Sequence, residues 1–145
     1  MRRQPSAAIT KISNSILSTM NEEIIRACIA ACQSCAVQCD QCAISCSLSS
    51  DVNKLSKCIE LDIYCADLCR MSVAFLGRGQ AQAKQLCALC AEICELCAIE
   101  CEKHARKECQ KCALLCRACV EECRKTAALF SSAGEFHSGH LLASA

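Results

Sequence analysis

The sequence contains few of the residues that build loops or stack on other rings. Its 145 residues include four Gly, one Pro, one Tyr, three Phe and no Trp. A small secreted domain held by disulfides needs many loops, and loops depend on Gly and Pro. The shortage of aromatic rings argues against the base stacking that single-stranded nucleic acid requires. Both classes of protein are therefore disfavoured.

An excess of charge of either sign is missing as well. Sixteen Lys and Arg residues oppose fifteen Asp and Glu residues, which leaves a net charge of +1. Such a chain has no cationic field to attract nucleic acid or an anionic membrane. We expect neither as a partner.

Long apolar runs are also absent. No run of about eighteen uncharged apolar residues occurs, so no membrane-spanning helix is predicted. The N-terminal stretch MRRQPSAAITKISNSILSTM has an Arg pair but lacks the apolar segment of an export signal. We therefore expect a cytoplasmic protein, and thiols stay reduced in that compartment.

Cysteine, by contrast, is abundant, with nineteen residues. Reduced thiols at this density are expected to be metal ligands or reactive groups rather than disulfides. Bridges between neighbours on one helix would also be strained, because their Cβ atoms point the same way.

The cysteines recur at the spacing of one helix face. Gaps of three and four residues alternate in three groups, and a sparser group has gaps of seven and four. An α-helix has about 3.6 residues per turn, so each group forms a single stripe. The groups are Cys28, Cys32, Cys35, Cys39, Cys42 and Cys46; Cys58, Cys65 and Cys69; Cys87, Cys90, Cys94, Cys97 and Cys101; and Cys109, Cys112, Cys116, Cys119 and Cys123.

Four helices of matched length follow from these stripes. We predict them at residues 21–48, 52–76, 80–103 and 107–129, because a break near His104 restores the phase between the last two stripes. Matched lengths and short links favour an all-α, antiparallel four-helix bundle with a Cys-lined core.

Local signals set the predicted helix ends. A capping box beginning at Thr19 starts the first helix, and Ser50 or Asp51 caps the second. Gly77 and Gly79 end the second helix, since Gly tolerates the left-handed conformation that helix ends use.

The bundle is expected to occupy residues 21–130. Residues 1–20 are predicted to be an N-terminal segment with a short accessory helix, because isoleucines recur there at helical spacing. Residues 131–145 are predicted to be a flexible tail, in which His137 and His140 have no metal role.

The outer face of the first helix carries apolar residues. Ala30, Val37, Ile44 and Leu48 lie nearly opposite the Cys stripe, on a stretch with few charges. This pattern predicts a homo-oligomer with the first helix at the interface. The alternative is that these are scattered surface aliphatics.

Charge balance favours copper(I) as the metal. Structural zinc takes four thiolates per ion and leaves two negative charges at each site in a dry interior. Copper(I) is soft and monovalent, binds two or three thiolates, and lets each thiolate bridge two ions. One copper(I) per Cys therefore gives a nearly neutral core.

Three alternatives stay open. An iron–sulfur electron carrier resembling a ferredoxin is disfavoured, because the chain lacks the loop spacing CxxCxxCxxxCP. A zinc-binding thiolate protein is the second. A purely structural thiol core is the third, although it would bury less apolar area than Leu or Ile.

The motifs resemble those of the bacterial copper storage proteins, specifically their cytosolic branch. The similarity covers residues 21–125 and includes CxxxCxxCxxxCxxCxxxC, CIELDIYCADLC and two CxxCxxxCxxCxxxC runs with His104 between them. It implies a tetramer of four-helix bundles that stores many copper(I) ions inside each bundle. Storage needs no turnover, so we predict no catalytic residue and do not expect an enzyme.

The resemblance also implies roles for individual residues. All nineteen Cys become ligands, and His104 binds or guides copper at an open end of the bundle, although relatives tend to carry further His there. Asp62 lies on the thiol face and is expected to give copper an oxygen ligand or to orient a thiol. Met71 points away from the stripe, which favours a packing role. A small thiol or a copper chaperone is the expected donor.

Overall fold

The computed structural model describes residues 4–132, which fold into four α-helices. Consecutive helices pack side by side, and the first closes the ring against the fourth. The predicted all-α four-helix bundle with a Cys-lined core is confirmed. The elements are α1, Ala7–Ser47; a short 3-10 helix, Val52–Leu55; α2, Ser56–Gly77; α3, Ala83–Glu102; and α4, Lys107–Ser132.

Sulfur positions give the direction of the helices. The Sγ atoms of Cys28 and Cys123 are 3.8 Å apart, and those of Cys46 and Cys109 are 3.6 Å apart. The start of the α1 stripe therefore meets the end of the α4 stripe, so these helices run antiparallel as predicted.

Helix α1 begins earlier than predicted, at Ala7 rather than at residue 21. The capping box at Thr19 was wrong, because Thr19 lies inside the helix and its hydroxyl donates to the carbonyl of Ser15 at 3.0 Å. No Gly or Pro occurs between Pro5 and the end of α1, so nothing interrupts the helix. The predicted accessory helix is thus the first part of α1.

The other helix ends are closer to their predicted positions. A 3-10 turn occupies the predicted start of α2, and the residue before α2 is Leu55, so neither polar candidate caps it. Gly79 has φ 64°, the left-handed conformation expected beyond the end of α2. Helix α3 starts at Ala83, slightly later than predicted, and the break around His104 is confirmed.

The core consists mainly of thiols and small side chains. Every Cys side chain is 0% exposed, and several alanines are buried beside them. Many large aliphatic residues lie on the outside instead, and Val37, Ile44 and Leu48 are 58%, 61% and 83% exposed. Sulfur therefore occupies the volume that Leu and Ile fill in most bundles.

The start of α1 extends past the bundle. Residues 4–20 are all exposed, including Ile9, Ile12 and Ile16 at more than half of their surface. No helix among the described residues is long and apolar enough to cross a membrane. Residues 133–145 of the predicted tail, with His137 and His140, lie outside the described part of the chain.

Candidate metal centre

The four stripes meet inside the bundle and form a column of sulfur atoms. Across the helices, neighbouring Sγ atoms lie between 3.3 Å, for Cys65 and Cys94, and 4.0 Å, for Cys58 and Cys109. All nineteen thiols are free and buried.

Groups of four thiols within the column have the size of a metal site. In each group the four Sγ atoms lie within 4.8 Å of one another. Cys35, Cys39, Cys116 and Cys119 each belong to two groups, so neighbouring sites share sulfurs. Five of the groups are Cys32, Cys90, Cys119 and Cys123; Cys35, Cys69, Cys94 and Cys119; Cys35, Cys39, Cys65 and Cys116; Cys39, Cys97, Cys112 and Cys116; and Cys42, Cys46, Cys58 and Cys109.

These separations fit ions that bridge pairs of thiolates. A metal–thiolate bond of about 2.3 Å and an angle of about 110° to 120° place two sulfurs about 3.8 to 4.0 Å apart. Most neighbouring sulfurs in the column already lie near that separation, for example 3.8 Å for Cys69 and Cys94 and 3.9 Å for Cys119 and Cys123. Little rearrangement of the helices is needed to admit a chain of bridged ions.

Burial favours uncharged thiols at the His104 end of the column. Burial is the main cause that raises the pKa of Cys46 and of Cys109, which keeps these thiols protonated at neutral pH. Among the described residues no Lys or Arg side chain is buried. Protonated thiols are weakly polar, so the column folds as a tolerably apolar core.

Asp62 is the buried carboxyl group of the column. It is 0% exposed, and the thiols of Cys97 and Cys112 donate to its Oδ1 at 3.1 and 3.3 Å. Cys101 donates to the same oxygen at 3.7 Å, and Cys58 donates to Oδ2 at 3.8 Å. Burial, followed by the neighbouring Cys112 and Cys97, raises the pKa of Asp62 to about 11. The group is therefore a neutral acid at pH 7.

His104 lies at one end of the column, in the turn between α3 and α4. Its Nε2 is 3.2 Å from Oε1 of Glu100, and Lys103 donates to Oε2 of the same carboxylate at 2.9 Å. Lys103 lowers the pKa of Glu100 most, and His104 adds to that effect. The His104 side chain is 19% exposed, so the ring lies between the solvent and the sulfurs.

The same end of the bundle carries an open cavity of about 420 Å³. Its walls come from the turn after α1 and the turn before α4, and they include Leu55, His104 and Arg106. Arg106 ties the turn before α4 to the end of α1 and the turn after it, because its guanidinium donates to the carbonyl and hydroxyl of Ser45 at 3.1 and 2.9 Å and to the hydroxyl of Ser49 at 3.3 Å. The backbone amide of His104 donates to the carbonyl of Cys101 at 3.1 Å, so the turn is held next to the last Cys of the α3 stripe.

Most of the residues that were considered as ligands lie in the column, but not all of them. The structure brings all nineteen Cys and Asp62 into the column and leaves Met71 49% exposed on the outside. Sequence reasoning did not single out Glu100, Ser72 and Thr126, which are buried. Ser72 and Thr126 could have been found, since each lies three residues after the last Cys of its stripe and continues the helical spacing.

Solved structures with the same fold include copper storage proteins. The Cu(I)-bound copper storage protein BsCsp3 is 43% identical and has a TM-score of 0.69, with 72% of this chain and 98% of that chain covered. A cytosolic copper storage protein from Streptomyces lividans, loaded with five coppers, is 33% identical with a TM-score of 0.74 and coverage of 76% and 97%.

Sequence comparisons agree with the structures. The cysteine-rich protein YhjQ of Bacillus subtilis, itself uncharacterised, is 44% identical over 83 residues, which cover 57% of this chain and 77% of that protein. The family model described as copper storage protein matches residues 20–128. With most of the chain matched and the thiol column inside the bundle, the chain belongs to the copper storage protein family.

Proposed function

We propose that this chain stores copper(I) in the cytoplasm, without turnover, and that its nineteen Cys side chains are the ligands. The observation that carries the proposal is the column of free, fully buried thiols whose four-sulfur groups share members. Shared sulfurs suit a metal that accepts bridging thiolates. Separate closed tetrahedra, as structural zinc prefers, would not share them.

Charge supports copper(I) over zinc. Each copper(I) ion displaces one thiol proton, so one ion per Cys leaves the interior as neutral after loading as before it. Zinc with four thiolates adds two negative charges per site, and no buried Lys or Arg among residues 4–132 offsets them. The bundle interior therefore selects a monovalent ion.

Asp62 is proposed to take part in the loaded state. Its Oδ1 lies within hydrogen-bond range of the Cys97 and Cys112 thiols, so an ion bound by these sulfurs also reaches the carboxyl oxygen. Loss of the carboxyl proton adds one anionic ligand beyond the thiolates. Charge balance then admits one copper(I) ion more than the number of cysteines.

Copper is proposed to enter at the His104 end. The cavity there is lined by Ser49, Leu55 and Arg106, each three residues along the chain from a member of the group Cys42, Cys46, Cys58 and Cys109. His104, which also lines it, is 19% exposed and is the proposed ligand at the solvent side. A small thiol or a copper chaperone delivers the ion, and thiolates then pass it inward by exchange. Neighbouring sulfurs under 4 Å apart along much of the column support this route.

The chain is further proposed to form a homo-oligomer, a tetramer by resemblance, with α1 at the interface. Val37 and Ile44 are 58% and 61% exposed, and a contiguous apolar face on one helix favours a protein contact. Replacing both by Glu should lower the molar mass measured by light scattering. Leu114→Glu on α4, where the side chain is 72% exposed, is the matched control and should leave the mass unchanged.

Anaerobic titration of the reduced protein with copper(I), against a competing chelator, tests the storage function. We expect a colourless complex with about one ion per Cys, well above ten per chain. Saturation at four or five ions, as closed four-thiolate sites predict, would contradict the proposal. A brown protein containing iron and sulfide after anaerobic purification would favour an electron carrier instead.

A further inference from the structure

Two hydroxyl groups lie at the end of the sulfur column opposite His104. Ser72 follows Cys69 by three residues on α2, and Thr126 follows Cys123 by three residues on α4. Both side chains are 0% exposed. They occupy the next position of the helical stripe, where another thiol layer would begin.

Neither hydroxyl is hydrogen-bonded. Within the described residues, the Oγ of Ser72 and the Oγ1 of Thr126 are buried and have no partner. A buried hydroxyl without a partner destabilises a fold, and such groups call for an explanation. Ordinary packing of a core therefore does not explain these two buried hydroxyl groups.

The other two helices place apolar residues in the same layer. Helix α3 has Ala83, which is 1% exposed, four residues before Cys87. Helix α1 has Ile25, which is packed against the core, three residues before Cys28. An apolar side chain evidently suits this layer, so packing alone does not account for the two hydroxyls.

The reactive groups nearest to these hydroxyls are the sulfur atoms at this end of the column. Thr126 lies one helical turn beyond Cys123, whose Sγ is 3.8 Å from that of Cys28, so its hydroxyl lies in the layer next to these two sulfurs. A neutral thiol is a weak acceptor, whereas a thiolate accepts a strong, charge-assisted hydrogen bond. Copper(I) prefers sulfur to a hydroxyl oxygen, so the hydroxyl serves the ligand and not the metal.

We propose that Ser72 and Thr126 are positioning residues of a terminal copper(I) site, where each donates a hydrogen bond to a thiolate that exists only when copper is bound. Thr126 donates to Cys28, and Ser72 donates to a thiolate of the same layer. When copper(I) replaces the thiol proton, the proton is taken up by the thiolate that the copper donor releases. This inference rests on the proposed storage function.

The test measures the metal-free and the loaded protein separately. Thr126→Val removes the hydroxyl and keeps the shape, and Ser72→Ala does the same for the second group. We expect the Tm of the metal-free protein to rise, because an unpaired buried hydroxyl is lost. The increase in Tm on full loading should become smaller, and the slowest copper ions should pass to a chelator about tenfold faster.

Three matched variants complete the design. Thr126→Ser keeps the hydroxyl and should retain the loading response of the unmodified protein. Thr19→Val and Ser34→Ala change exposed residues of α1 and should alter neither response.

The outcomes separate this inference from the storage function. If the unmodified protein takes up copper but Thr126→Val and Ser72→Ala shift the Tm of both states equally, the hydroxyls have no role in the loaded state and the inference is wrong. A lower Tm of the metal-free variants also overturns it, because the hydroxyls then have partners before loading. If the unmodified protein takes up no copper, the storage function fails as well.

Discussion

The two ends of the sulfur column carry different chemistry although the cysteine spacing is the same. The half toward His104, where entry is proposed, contains the acid Asp62, and a cavity of about 420 Å³ lies at that end of the bundle. The opposite half ends in the hydroxyls of Ser72 and Thr126. The two ends therefore differ in the few residues of the stripes that are not Cys.

The largest expected effect is a loss of copper capacity when thiols near the middle of the column are removed. Cys94→Ala with Cys116→Ala removes a thiol 3.3 Å from Cys65 and a thiol shared by two four-sulfur groups. Because thiolates bridge ions, copper capacity should fall by more than two ions per chain in an anaerobic titration.

The matched control for this pair lies on the outer faces of the same helices. Leu89→Ala and Leu114→Ala change residues that are 45% and 72% exposed, and capacity should not change. A double Cys variant that keeps full capacity would mean that these two thiols are not copper ligands.

The second expected effect is a dependence of stability on pH, caused by the buried carboxyl group of Asp62. The pKa of Asp62 is raised to about 11 in the folded chain, so between its unfolded pKa and pH 11 the folded state holds a proton that the unfolded state lacks. This contribution to stability is complete below the unfolded pKa and is lost as the pH rises. From pH 5 to 8 the free energy of unfolding of the metal-free protein should fall by up to about 1.4 kcal/mol per pH unit.

Asp62→Asn should flatten this pH slope, and Asp67→Asn, which changes an exposed residue of the same helix, should leave it intact. Chemical denaturation at a series of pH values gives the slopes. Equal slopes in all three proteins would show that Asp62 is ionised in the metal-free bundle. The loaded protein should lack the slope, since copper replaces the proton.

The smallest effect is expected at the entrance itself. His104→Ala should slow copper uptake from a copper(I)–thiol complex by about tenfold, with capacity unchanged, because the ring is an exchange ligand and not a storage ligand. Stopped-flow absorbance of the thiolate-to-copper band measures the rate. Lys125→Ala, near the opposite end on α4, is the control, and an equal loss of rate there would argue against a defined entrance.

The sequence was sufficient to predict the bundle and the column because both follow from one periodic pattern. Gaps of three and four residues place Cys28 through Cys46 on one face of a helix in any surroundings. The break at His104 followed from the phase of two neighbouring stripes. These predictions needed no knowledge of the tertiary contacts.

Other features depend on what packs against each residue. The capping signal at Thr19 was local and gave way to a helix that continues to Ala7, since no residue interrupts it. The protonated state of Asp62 comes from burial among thiols of other helices. The missing partners of Ser72 and Thr126 likewise appear only when all four helices are in place.

Because the thiols stack at regular intervals, a longer bundle would hold a longer column of sulfur atoms. Each further seven residues on all four helices adds two positions to every stripe, so the proposed capacity grows with helix length and needs no new fold. Helix α1 already extends well beyond its three neighbours, and the layer of Ser72 and Thr126 is where added cysteines would continue the stack. A bundle with more thiols would thus arise if the three shorter helices were lengthened along the part of α1 that already extends past them.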